Sequence, residues 1–490
     1  MMEKSKRILF YLIAAITFFR LIYINFVPLV PQEAYYWKYA KNLALSYFDH
    51  PPMTAYIIAF FTWIGGDHVF FIRLGSILIS IGLMLLIYSI VTRLFENQKW
   101  GIQTMLAINC TVLFSIGSTI ITPDVPLLFF WALIVYSLAR LRETDHWKWW
   151  YLAGVALGFG LLSKYTAILI VPGIFIYVIL SKTQKKWLLT IHPYLALIIA
   201  FLIFAPVIFW NYQHDWASFF FQSSNRFSKM IRFKPEFFLQ LIGSQLGMLT
   251  PYMFLLIFVG WSRIGILSFK EHNEKYSLLF WIAFPTFFIF ILSSFRSLVK
   301  MNWLAPAYIT SLIAAIVWMN SSGTTWSSRF KKWFKPGLII GLVIVLFMHL
   351  LPVIPIFPMR RGDTWTGWQQ LADRVLEIKN EMGKDTFIFG NEYKVPSEIT
   401  FYTPNHETTH SGEIIGEKGL QYDYWTNISD LIDKNAIFVT SDFERYRNID
   451  NLKKHFQTVE EEPPLKIIYH NKVFRIFYFY RCYGYKGTTP

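Results

Sequence analysis

The stretch FFIRLGSILISIGLMLLIYSIVT, residues 70–92, decides how this chain is read. Its one charged residue, Arg73, sits near the start, and nothing else in it resists transfer into hydrocarbon. A helix rising ~1.5 Å per residue needs about 20 such residues to cross a hydrocarbon core roughly 30 Å thick. Similar runs recur at 8–29, 102–120, 123–140, 149–163, 165–181, 192–210, 238–262, 277–294, 304–319 and 337–353, so eleven spans are expected. The composition agrees: 54% hydrophobic, 19% aromatic and only 16% charged, outside the range of soluble domains. The basic start Met1–Arg7 runs into the first span without a small-residue cleavage site, which reads as an uncleaved anchor.

Orientation follows from where the cations lie. With the N-terminus inside, the inner loops hold Arg93 and Lys99, then Arg140, Arg142 and Lys148, then Lys182, Lys185 and Lys186. Arg263, Lys270 and Lys275 follow, and then Arg329, Lys331, Lys332 and Lys335. Every inner loop is basic, so the net charge of +15 is largely a topological bias and not a signal for nucleic acid. The two cysteines, Cys110 in a span and Cys482 in the tail, are expected not to pair.

That threading carries Glu33, Asp49-His50, Asp124, Lys164 and the segment Arg296–Lys300 to one face, the non-cytoplasmic one. The expected catalytic unit is residues 1–354, with outer loops 30–66 and 211–237. In the first loop the apolar run 53–64 is too short to span and fits a helix at the interface. From residue 355 the composition changes to that of a soluble α/β domain, 355–490. A helix is expected over Gly367–Met382, strands at Thr386–Phe389 and Ala436–Thr440, and a hairpin-like pair near 466–480. The fold class is therefore an α-helical polytopic membrane protein with a C-terminal soluble α/β domain.

Each polar motif has a plain structural reading. Glu33 is a loop carboxylate beside Tyr35, Tyr36 and Trp37; Asp49-His50-Pro51-Pro52 starts the interfacial helix; Asp124 sits where a helix dipole favours an acid; Lys164 is a snorkelling lysine. The outer cations weigh against these readings. Lys38, Lys41, Lys164, Arg226, Lys229, Arg232, Lys234, Arg296 and Lys300 all oppose the inside bias, which an anionic ligand such as a lipid phosphate explains. A carboxylate among them suits a general base.

The runs Gln32-Glu33-Ala34-Tyr35-Tyr36-Trp37 and Tyr47-Phe48-Asp49-His50-Pro51-Pro52-Met53 resemble the first outer loop of the polytopic GT-C glycosyltransferases. Within these the chain is most similar to the bacterial branch of families 39 and 83, which holds the aminoarabinose–lipid A transferases and is related to the protein O-mannosyltransferases. Thr122-Pro123-Asp124, Ser163-Lys164-Tyr165 and Lys300–Pro306 resemble the family's second acidic loop, its Ser/Thr-Lys pair and its late lysine loop.

The resemblance implies inverting transfer of a sugar from a polyprenyl phosphate, on the outer face of a bacterial inner membrane, to lipid A, another glycolipid, a polysaccharide or a protein. Gln32 stands where the family usually has its catalytic Asp, so the resemblance leaves Glu33 or Asp124 as the base. It places Lys164, Arg296 and Lys300 at the donor phosphate, and Asp49 with His50 at phosphate or a divalent metal. Tyr35, Tyr36 and Trp37 are expected to contact sugar or acceptor, stacking on a ring. The competing class is a transporter or flippase of polyprenyl-linked lipids. Such a protein would place ionisable groups near mid-membrane and often shows two similar halves.

Overall fold

The computed structural model describes residues 2–227, 233–356, 364–441 and 449–488. They form two compact units, one of Met1–Ile24 with Ala44–His349, the other of Asn25–Leu43 with Leu350–Pro490.

The first unit is helical. Six of its helices are long and apolar enough to cross a membrane: Val69–Phe95, Asp124–Thr144, His192–Gln213, Pro251–Lys270, Glu274–Ser294 and Thr325–Leu350. Several other expected spans are interrupted. Residues 102–120 divide into Gln98–Asn109 and Val112–Gly117. Residues 165–181 begin as a 3₁₀ turn, Tyr165–Leu169, before the helix Ile170–Leu180. Residues 238–262 break at Thr250, which is held at φ +69. Pro251 causes that break, because it excludes the preceding residue from helical backbone and then opens the next helix. Met53–Gly65 is a separate short helix that stops at Gly66.

Burial explains why one expected span is short. Every residue from Ala305 to Met319 in the helix Ala305–Ser321 is buried, so this helix is surrounded by protein. Helices also approach closely where a side chain is missing. A Cβ on Gly154 would lie 2.4 Å from the carbonyl oxygen of Ala196, so Lys148–Ser163 and His192–Gln213 meet backbone to backbone.

The second unit is built on a five-stranded sheet. Its strands are β1 (Phe387–Gly390), β2 (Thr409–His410), β3 (Ala436–Thr440), β4 (Phe456–Tyr469) and β5 (Lys472–Tyr485), in the order β2-β1-β3-β5-β4. β1 pairs in parallel with β2 and β3; β3–β5 and β5–β4 are antiparallel. β1 and β3 are buried along their whole length, as central strands covered on both faces must be. One face packs Ile388, Ile437 and Val439 against Leu371, Val375 and Ile378 of the helix Trp368–Met382. The hairpin turns at His470-Asn471, both at positive φ, as a two-residue turn between right-twisted strands requires. Pro463-Pro464 fall at an irregularity on edge strand β4, where no ladder hydrogen bond is lost.

Residues 25–43, expected among the outer loops of the membrane part, fold with this sheet. Pro31–Lys41 is a helix packed on the helix Lys394–Tyr402. Its aromatic side chains supply the reason: Tyr35 lies against the rings of Tyr393, Tyr422 and Trp425, and Trp37 against Phe401 and His406.

Candidate functional site

In the first unit three expected outer segments meet at one carboxylate. Asp124 opens the helix Asp124–Thr144, where unpaired N–H groups favour an acid. One carboxylate oxygen, Oδ1, accepts from Lys164 Nζ at 2.7 Å, and the other from Asn302 Nδ2 at 2.6 Å. The Asp124 and Lys164 side chains are 13% and 12% exposed, enclosed enough to limit screening yet still reachable.

Local structure explains each partner's position. Lys164 ends the helix Lys148–Ser163 with extended backbone, at the break before the 3₁₀ turn. Asn302 belongs to the connection between the helices Glu274–Ser294 and Ala305–Ser321. Buried Gln245 fixes that connection: its Nε2 donates to the Met301 carbonyl at 3.1 Å, while its Oε1 accepts from the Tyr308 hydroxyl at 2.8 Å. Arg296 and Lys300 lie exposed on the same connection.

The cluster extends through Tyr165. Its hydroxyl is 2.7 Å from Ser218 Oγ and within electrostatic reach of Asp49. The Asp49 carbonyl accepts from Gln222 Nε2 at 2.9 Å, and its carboxylate lies 4.0 Å from His50 Nε2. Asp49 and His50 offer two metal donors; among the described residues no group of three or more is placed to hold an ion.

The loops expected inside form a second, separate network at the other ends of these helices. Glu143 pairs with Arg93 and Arg140, at the opposite end of the helix that Asp124 opens. Glu274 accepts from Ser181 and Thr183 and lies 3.8 Å from Arg142, while Lys186 pairs with Asp145. Polar groups are thus sorted to the two ends of a hydrophobic bundle.

The remaining expected site residues belong to the second unit. Glu33 is 0% exposed, and its Oε2 accepts from the Val30 N–H at 3.2 Å, capping its own helix. Tyr35, Tyr36 and Trp37 are buried, with the faces of Tyr35 and Trp37 turned to protein rings instead of lying open for a sugar. Lys38 also departs from expectation. It is 9% exposed, donates to the Thr409 carbonyl at 2.9 Å and lies 4.1 Å from the centre of the Tyr422 ring. Burial lowers its ammonium to about 7, with Glu413 partly opposing. Lys234 is exposed; the side chains of Arg226, Lys229 and Arg232 lie outside the described residues.

Sequence reasoning did not single out Asn302, Gln245, Tyr165, Ser218 or Gln222 as site residues. The Lys300–Pro306 motif contains Asn302, but its lysine drew attention as the charged group.

The comparisons with known proteins agree with this architecture. The family model described as dolichyl-phosphate-mannose-protein mannosyltransferase matches residues 49–210. A lipid A galacturonosyltransferase, RgtD, from Rhizobium johnstonii is 25% identical over 410 residues, covering 80% of this chain and 81% of that protein. An undecaprenyl phosphate-α-4-amino-4-deoxy-L-arabinose arabinosyl transferase of Serratia proteamaculans is 24% identical, over 70% of this chain and 64% of that protein. The crystal structure of ArnT from Cupriavidus metallidurans in the apo state superposes with TM-score 0.65 at 12% identity, covering 98% of both chains. The structure of the same protein bound to undecaprenyl phosphate gives 0.61 at 13% identity, over 96% of this chain and 97% of that one. A multi-helix membrane unit joined to a small sheet unit is the ArnT-like fold. The chain belongs to the GT-C polytopic membrane glycosyltransferases.

Proposed function

We propose that this protein transfers a sugar from undecaprenyl phosphate, or a closely similar polyprenyl phosphate, to a lipid A-like glycolipid on the periplasmic face of a bacterial inner membrane. The observation that carries this reading is the Asp124 carboxylate shared between Lys164 and Asn302. The relatives' names supply the donor and acceptor classes. Eleven crossings with the N-terminus inside would put this cluster outside, away from nucleotide sugars, so the sugar must arrive on a lipid.

The geometry suggests how donor binding would switch the site on. A carrier phosphate entering the cluster would exchange with Asp124 for the Lys164 ammonium, a better match for a dianionic ligand. Asp124 would then hold a free oxygen to take the proton from the acceptor hydroxyl. The acceptor oxygen bonds to the anomeric carbon while that carbon's bond to phosphate breaks, and the carrier phosphate leaves with the bonding pair, held by Lys164. Direct displacement inverts the anomeric centre. Asn302 would keep Asp124 aimed throughout, while exposed Arg296 and Lys300 would draw the anion in.

The test is reconstitution. Purified protein in proteoliposomes, given an undecaprenyl-phosphate-linked sugar and lipid A, should yield a glycosylated lipid A detected by mass. Movement of the donor across the bilayer with no new product would replace transfer with transport.

A further inference from the structure

We propose that the second unit holds a separate saccharide pocket for a lipid-linked glycan; the choice of a lipid-linked sugar rests on the glycosyl-transfer reading above. A cavity of 240 Å³ opens beside the start of the helix Trp368–Met382, with Trp365, Tyr402 and Tyr469 among its walls and Gln369 and Gln370 at its edge. Binding pockets for drug-sized ligands begin at about 300 Å³, so this one suits a single ring more than a chain of them.

The lining has the chemistry a sugar ring needs. Pyranose rings offer C–H faces that rest on aromatic faces and hydroxyl edges that need neutral donors and acceptors. Here the aromatic walls stand beside two amides and a tyrosine hydroxyl, and none of the described lining residues is charged. That excludes a nucleotide or a bare phosphate as the group held inside. Trp368 is fixed as structure: Arg475 lies 3.8 Å from its ring centre, and its Nε1 donates to the Thr364 carbonyl at 2.9 Å. Half-buried Trp365 is therefore the available platform. Gly367 lets the turn press onto the hairpin; it sits at φ +86, and a Cβ there would lie 2.5 Å from Ile467.

The rim argues for a lipid on the sugar. Phe26 is 63% exposed, and Val353 and Ile354 are also exposed. In chain order Phe26 follows closely on the helix Met2–Tyr23, and Pro352-Val353 on Thr325–Leu350, a helix apolar enough to span. A free sugar would leave these side chains wet, whereas the hydrocarbon next to a lipid-linked headgroup would cover them.

The experiment uses the full chain in nanodiscs. Dissociation constants for two probes, lipid A and an undecaprenyl-phosphate-linked hexose, are measured for wild type, Trp365→Ala, Trp365→Phe and Gln370→Ala. Trp365→Ala and Gln370→Ala should each weaken one probe by roughly tenfold, about the worth of one good ring contact, while Trp365→Phe stays near wild type. Weakening of lipid A alone assigns the pocket to the acceptor; weakening of the hexose lipid alone assigns it to the donor. Unchanged binding of both probes in folded Gln370→Ala and Trp365→Ala overturns the proposal, as does equal loss in Trp365→Phe. Turnover is scored separately: binding through this pocket without any transfer product would leave the pocket standing and sink the transferase reading.

Discussion

Replacing Asp124 by Asn separates the charge of the central cluster from its shape. The amide has one acceptor oxygen where the carboxylate had two, and two donors, Lys164 Nζ and Asn302 Nδ2, now compete for it. Lys164 keeps the oxygen and Asn302 flips its own amide to receive the new N–H, so the arrangement survives with one hydrogen bond no longer charge-assisted. A hydrogen bond to a charged group contributes about 1.5–3 kcal/mol, and breaking a fully buried pair costs about 3–5 kcal/mol. With both side chains slightly exposed, a loss near 2 kcal/mol in stability is expected, read as a lower melting temperature in detergent. Turnover should fall by about 10²–10⁴, the usual cost of losing a general base. Binding should move the other way. Asp124 competes with the carrier phosphate for Lys164, so Asp124→Asn should hold undecaprenyl phosphate as tightly as wild type, or up to about tenfold tighter. Lys164→Ala should weaken that binding, and the double mutant should lose less than the sum of the two, because the residues act as one unit. The reasoning is refuted if Asp124→Asn turns over within about threefold of wild type, or if it loses donor affinity together with Lys164→Ala.

Four further outcomes are expected. Glu33→Gln should keep near-wild-type stability and turnover, since glutamine also serves at this capping position; a hundredfold loss of rate in a folded protein would return the base to Glu33. Lys38, held at about 7 against an ordinary 10.5, binds its proton more weakly folded than unfolded, so the second unit should gain stability as pH rises between those values, about 2 kcal/mol from pH 7 to 9. Urea unfolding of Lys38→Met across that range should lack this slope, and an unchanged slope would show that Lys38 titrates normally. Gly154→Leu should prevent the helices Lys148–Ser163 and His192–Gln213 from closing, giving a protein that cannot be purified as a monodisperse species; normal behaviour would contradict the backbone contact. A phosphatase fused after Pro490 should be active only outside the cytoplasm, and an active cytoplasmic reporter there would turn the Asp124 cluster to the wrong face.

The two ends of the bundle show how far local sequence reaches. Hydrophobic run length and the basic loops were enough to sort Asp49, Asp124 and Lys164 from Arg93, Arg142 and Lys186, because bilayer thickness and the cost of moving charge act on short segments one at a time. The strands at 387–390 and 436–440 were legible for a similar reason: an apolar run between turn residues is a local signal. Partner choice was not local. Nothing near Asn302 indicated that its amide would meet Asp124, 178 residues away, or that Gln245 would fix the connection carrying it. The fate of the helix Pro31–Lys41 was hidden for the same reason. Its rings and Lys38 read alike as an open loop or as a packed face until Tyr422, Trp425 and Thr409 were in place to bury them. Sequence determined which segments enter the membrane and which polar residues share an end of the bundle, since solvation acts on each segment by itself. Tertiary structure alone decided which of those residues touch, because a hydrogen bond between distant residues exists only once the elements between them have packed.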